Sequence, residues 1–146
     1  VNATAASTWV LDASIAIRWV FEDQALTSTD ALLDRVVVDD VLVPNIWLVE
    51  VANVVLRTVR EGRVPADRAL GQINRLMGLP LIIEPGLTRS QAVSVAGYAA
   101  ILGLKMADAV YLELAARKGL PLATMDRRLG EAARRMELSV LPVAET

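Results

Sequence analysis

The sequence predicts a single α/β domain with a mostly parallel central sheet flanked by helices. Three observations carry that expectation. The chain has 146 residues, enough for one ordinary domain and too few for two. Apolar runs of strand length alternate with longer segments of helical period from one end to the other. No internal repeat, linker or low-complexity stretch interrupts the alternation, so residues 1–146 read as one unit, with 1–7 a loose arm poor in pattern. Strand following helix in this way favours crossover connections and parallel pairing.

In order, Trp9-Val10-Leu11 is a short buried strand that stops at Asp12. Ser14 is placed to cap a helix from Ile15 to about Phe21, and a second helix covers Ser28 to Val38. Val41-Leu42-Val43 is strand-like and halts at Pro44. A helix from Ile46 to Glu61 is closed by Gly62, and Pro65 opens another that ends near Gly78 and Pro80. Leu81-Ile82-Ile83 is the third strand. The helix from Arg89 to Leu102 stops at Gly103, and the uncharged run Ser90 to Leu104 around it reads as buried. Asp108 begins a helix that reaches Lys118. Leu122-Ala123-Thr124 is a strand, Asp126 to Met136 a helix, and Leu138 to Leu141 the last strand.

Composition excludes several chemistries. With 54% hydrophobic and 22% charged residues the chain is a folded domain, apolar enough that a partner or second copy is expected to cover part of it. Cysteine and histidine are both absent. That removes disulfides, thiolate nucleophiles, Cys/His zinc sites and histidine-based acid–base catalysis. A metal held here is a hard one bound by oxygen, such as magnesium, manganese or calcium. No run reaches the ~18 apolar residues of a membrane span, and no signal-peptide pattern opens the chain. The expectation is a soluble cytoplasmic protein, in keeping with the missing cysteines.

Four acids stand in apolar surroundings, unlike Glu22/Asp23, Asp30/Asp34 and Asp39/Asp40, which read as solvated surface. Asp12 and Asp126 each follow a strand, where the carboxyl ends of a parallel sheet open into a ligand-binding crevice. Asp108 opens a helix. Glu50 shares a narrow polar helical stripe with Asn53, Arg57 and Arg60, the rest of that helix being apolar. Helix capping explains each aspartate singly, and a solvated stripe explains Glu50. Together they form a set of carboxylates that cannot all remain ionised in one crevice without a cation.

The blocks that contain these acids resemble a known family. Val-Leu-Asp-Ala-Ser-Ile-Ala-Ile-Arg-Trp, Trp-Leu-Val-Glu-Val-Ala-Asn, Ala-Asp-Ala-Val-Tyr-Leu-Glu-Leu-Ala and Leu-Pro-Leu-Ala-Thr-Met-Asp-Arg-Arg-Leu are similar, in order and spacing, to those of the PIN-domain ribonucleases. Within these the chain is most like the VapC toxins of toxin–antitoxin pairs, and the resemblance runs from about Trp9 to Pro142. It implies that Asp12, Glu50, Asp108 and Asp126 bind one or two Mg2+ or Mn2+ ions, with Ser14, Asn53 and Thr124 as supporting polar residues. It further implies a homodimer and a VapB-type antitoxin partner that covers the active site.

On that basis the expected reaction is metal-dependent endoribonucleolytic hydrolysis that leaves 5′-phosphate and 3′-hydroxyl ends. The net charge of −2 is compatible with an RNA substrate, because the four acids account for −4 and the remainder carries +2. Arg57 and Arg60, on the stripe of Glu50, are candidates for RNA-backbone contacts. Arg134 and Arg135 read as a solubilising helix surface. The rival from another class is a non-catalytic PIN-fold module that binds a protein partner. A haloacid-type phosphatase lacks its second aspartate, since Ser14 stands there, and no Gly-rich phosphate loop is present. A DNA-directed nuclease of similar acidic design remains open.

Overall fold

The computed structural model describes residues 5–21, 23 and 26–142. Five strands form one sheet in the order β3-β2-β1-β4-β5, and every neighbouring pair is parallel. The strands are β1 (Thr8–Leu11), β2 (Asp40–Val43), β3 (Ile82–Ile83), β4 (Leu122–Ala123) and β5 (Val140–Leu141). Seven helices among the described residues flank them: α1 (Ala13–Arg18), α2 (Thr27–Val36), α3 (Ile46–Arg60), α4 (Ala66–Met77), α5 (Arg89–Leu102), α6 (Met106–Lys118) and α7 (Arg127–Arg135). The single α/β domain with a parallel sheet is therefore as expected, and no strand pair departs from parallel.

The chain builds outward from β1 in two directions. It lays β2 and β3 on one side, then returns to lay β4 and β5 on the other. The gap between the ends of β1 and β4 is the point where the strand order reverses, and a crevice forms there at the carboxyl ends. Trp9, Val10 and Leu11 of β1 are fully buried, as are Leu122 and Ala123 of β4. Helices cover both faces of such a sheet, which is why these strands read as unbroken apolar runs. Trp47 of α3 and Tyr111 of α6 are the other large side chains sealed in the core.

Several sequence expectations need correction. The uncharged stretch around α5 is not a buried helix: Val95 is its only buried residue, while Val93 and Ile101 are 73% and 80% exposed. Apolar composition carries no face information when Ala, Ser and Gly fill the gaps, so the run misled. On α3 only Trp47, Val51, Val55 and Thr58 are buried, and Val49 and Leu56 face outward. The helix is thus packed along one stripe rather than on most sides. The arm expected over 1–7 falls largely on residues 1–4, outside the described residues. At its inner end Ser7 is anchored, because its N–H donates to Asp39 (3.0 Å) and its carbonyl accepts from Asp40 N–H (2.9 Å).

Gly103 sits at φ +67°, a left-handed backbone that suits glycine, and there α5 ends and the chain turns into α6. The two helix axes are bent 109° apart, and no single helix among the described residues is long and apolar enough to cross a membrane.

Candidate metal centre at the carboxyl edge of the sheet

Asp12 lies directly beyond β1, with its N–H still in the sheet, donating to the Ala123 carbonyl at 2.9 Å. It occupies the N-cap position of α1, yet its side chain makes no capping bond. Ser14, expected as the cap, is instead inside the first turn and spends its hydroxyl on Asp12 Oδ2 at 2.6 Å. Thr124, just past β4, donates to the same Oδ2 at 2.7 Å. Each hydroxyl also accepts a backbone N–H, Ser14 Oγ from Met125 (2.9 Å) and Thr124 Oγ1 from Asp126 (3.0 Å). Those acceptances aim the hydroxyl protons at Asp12. Because both donors use Oδ2, neither side chain occupies Oδ1.

Asp126 opens α7 as a true N-cap, its Oδ1 accepting Leu129 N–H at 2.9 Å. Asp108 is not the cap of α6. Lys105 holds that position without a side-chain bond, and Asp108 stands in the first turn. Its carboxylate is therefore not consumed by the helix end. Glu50 projects from α3 and accepts a hydrogen bond from the Tyr111 hydroxyl of α6. Tyr111 was not among the sequence candidates. The signal was its place three residues after Asp108, which puts both on one face of α6.

The pKa shifts tie the acids together. Burial is the main force raising Asp12, the Ser14 and Thr124 hydroxyls oppose it, and the charge of Asp126 adds to it. Glu50 is raised first by burial and also by Asp12 and Asp108, against the Tyr111 bond. Asp108 is raised by burial, then by Asp126 and Asp12, with Lys105 opposing. Burial and the charges of Glu50 and Asp12 push the Tyr111 phenol far up, so it remains a proton donor. Asp12, Glu50 and Asp108 are thus each raised by the charge of another acid, and Asp126 acts on Asp12 and Asp108.

The donor set suits a hard divalent cation. It is all oxygen, Asp12, Glu50 and Asp108 are held above their ordinary range first by burial and then by neighbouring carboxylates, and Oδ1 of Asp12 has no side-chain donor. Among the described residues no three acids are gathered closely enough to hold an ion as they stand. Asp126 is turned onto α7 and Glu50 onto Tyr111, which is the arrangement expected of carboxylates that repel one another.

Asn53 is exposed one turn beyond Glu50, and no hydrogen bond joins the two among the described residues. Arg57 and Arg60 are exposed near the end of α3, about 10 and 15 Å along the helix axis from Glu50. They share its helix but lie well away from the acids.

The sequence profile of the PIN domain matches residues 9–135. The chain belongs to the PIN-domain family. The match takes in all four acids of this PIN domain along with Ser14, Tyr111 and Thr124. Its fold is shared by PAE2754 of Pyrobaculum aerophilum, 23% identical, over 90% of this chain and 87% of that one, with a TM-score of 0.65. It is also shared by FitAcB of Neisseria gonorrhoeae at 19% identity (90% and 94% covered, TM-score 0.64). A third structure is VapBC2 of Rickettsia felis bound to a DNA fragment from their promoter, at 13% identity (91% and 96% covered, TM-score 0.64). No curated protein sequence gives a match.

Proposed function

We propose that this PIN domain is a metal-dependent endoribonuclease of the VapC toxin type, hydrolysing RNA phosphodiesters to 5′-phosphate and 3′-hydroxyl ends. The observation that carries the reading is that Asp12, Glu50 and Asp108 are each destabilised as anions by burial and by the charge of neighbouring acids, Asp126 among them. One or two Mg2+ or Mn2+ ions, when bound, lower the pKa of an attacking water and neutralise charge growing on the phosphate. Asp12 offers Oδ1 while Ser14 and Thr124 hold Oδ2 in place. Tyr111 fixes the rotation of Glu50, and Asp108 and Asp126 complete the oxygen set. Asn53 supports the rim of the crevice, and Arg57 and Arg60 steer the RNA backbone from farther along α3.

A VapB-type antitoxin partner, a homodimer and a cytoplasmic setting belong to the same reading. The exposed apolar side chains of α5 support coverage by another chain, and the VapBC2 neighbour supports the choice of partner. A non-catalytic PIN-fold binding module is favoured by a single observation, the absence among the described residues of a ready-made ion cage.

Turnover separates the two. Purified, partner-free chain is incubated with mixed cellular RNA in magnesium, manganese or EDTA, beside an equally folded Asp108→Asn variant. Cleavage that needs metal and vanishes in the variant, with ends that a 5′-phosphate-dependent exonuclease accepts, is the expected result. Equal cleavage by both proteins, or 2′,3′-cyclic phosphate ends, sinks the proposed mechanism. Neither cleavage nor metal binding leaves the binding module.

A further inference from the structure

A cavity of about 580 Å3 opens beside the acids, between the start of α2 and the inner face of α7. Thr27, Ser28, Thr124, Asp126, Gly130 and Arg134 are among its walls. Thr124 and Asp126 belong to the metal centre as well, so the cavity and the crevice are continuous.

Arg134 is an exposed side chain on the cavity wall. Residues 126, 130 and 134 are four apart and share one face of α7. Helical side chains lean toward the helix N-terminus, so Arg134 lies back over Gly130 in the direction of Asp126. Its Nη1 is 3.4 Å from the point where a Cβ on Gly130 would stand. Gly130 has no left-handed backbone that would call for glycine. A Cβ at Gly130 would make only ordinary van der Waals contact with Arg134, Val140 and Thr124, so the arginine, the last strand and the metal-centre threonine all meet over this point of the helix.

The neighbouring cations are engaged differently. Arg127 pairs with Glu131 at 3.0 Å, and Arg128 and Arg135 line a separate depression on another side of α7. No acid among the described residues pairs with Arg134. Among the described residues Asp126 is the one acid in the cavity wall, and its Oδ1 is occupied by Leu129 N–H.

We propose that this cavity receives the ribose-phosphate unit of RNA adjacent to the scissile one, with Arg134 as the cation that grips its phosphate. The proposal rests on the nuclease reading for the direction of the strand but assigns Arg134 a role apart from the chemistry. It displaces the expectation that Arg134 merely solubilises the helix. The cavity volume suits a sugar and phosphate together, and the hydroxyls of Thr27 and Ser28 supply neutral donors on the facing wall.

The test is fluorescence anisotropy of labelled polyuridine, about 12 nucleotides long, in magnesium from about 50 to 200 mM salt. The intact chain carries Asp108→Asn in every sample, so that the RNA stays whole. Arg134→Gln is expected to weaken binding roughly fivefold at low salt and to flatten the log–log salt slope by about 0.7, the value of one single-strand phosphate contact. Arg134→Lys should keep most of that slope, and Arg135→Gln all of it. Circular dichroism melts check that the variants fold alike. No RNA binding by the parent, or an Arg134→Gln slope equal to that of Arg135→Gln, overturns the proposal. In the second case the cavity would pass to an acidic peptide of a protein partner. An Arg134-dependent slope in a chain that never cleaves RNA keeps the cavity and removes the nuclease reading, so the two fail separately.

Discussion

Two aspartates stand at opposite ends of β1, one partly buried and one buried, and the protein treats them in opposite ways. At the amino end the Asp39 side chain is 8% exposed. It accepts from Ser7 N–H (3.0 Å), Trp9 Nε1 (2.9 Å) and Arg35 Nε (2.8 Å). Burial is the largest single influence on it and raises its pKa, yet those donors together outweigh burial and leave it lowered. At the carboxyl end Asp12, 5% exposed, is given two neutral hydroxyls and a neighbouring carboxylate, and its pKa is raised. A carboxylate that holds a fold together is supplied with its cation inside the chain. Asp12 is supplied only with neutral groups that orient it.

The sharpest way to break this comparison is Asp12→Asn. Cleavage should fall by more than about 100-fold, because loss of a ligand exceeds the usual cost of losing its supporting partner. In EDTA at neutral pH the same variant should melt a few degrees higher, on the order of 3 °C. The sign follows from linkage. A raised folded pKa means that stability is full below the unfolded pKa and declines as pH rises through the folded one, so the gain shrinks in acid. A variant that cleaves normally, or that melts lower at neutral pH, contradicts the assignment.

Tyr111→Phe tests whether orientation alone matters. Calorimetric Mn2+ affinity should weaken about tenfold, with a stability loss of about 1 kcal/mol for the buried bond. Unchanged affinity would detach Tyr111 from the centre. Asp126 comes next in size. Asp126→Ala should cost about 1 kcal/mol in urea unfolding through the lost cap, while Asp126→Asn, an equally good cap, should cost nothing. Both should lose cleavage, and if Asn retains it, Asp126 is a cap only.

The smallest effect lies at Asp39. Its lowered pKa contributes stability that is present above the unfolded value and lost as pH falls through the folded one. Asp39→Asn should therefore flatten the acid limb of a urea-midpoint profile below about pH 4. An acid limb as steep as that of the wild type would show that the Ser7, Trp9 and Arg35 donors do not discriminate charge there.

Much of this was legible in the residues, and the failures have physical causes. Every strand and helix was foreseen within a few residues, because apolar period and breakers such as Pro44, Gly62 and Gly103 are local signals. Strand order was not, since pairing across β1 joins segments whose separation leaves no trace in spacing. The four candidate acids were singled out by their apolar surroundings. The Ser14–Asp12–Thr124 bonds and the Tyr111–Glu50 bond were beyond reach, as each joins separate elements. Asp39 was set aside with Asp40 as surface, because a charge beside another charge reads as solvated until the fold delivers Arg35 and Trp9 to it.

The placement of β1 between β2 and β4 has a consequence in time. The Thr124 hydroxyl that orients Asp12 is synthesised 112 positions after it. Glu50 and Asp108 likewise wait for the sheet that carries them. A nascent chain therefore has no assembled centre until β4 has left the ribosome and docked beside β1. On the nuclease reading, a chain cut ahead of residue 122 lacks both Thr124 and Asp126 and has no assembled centre.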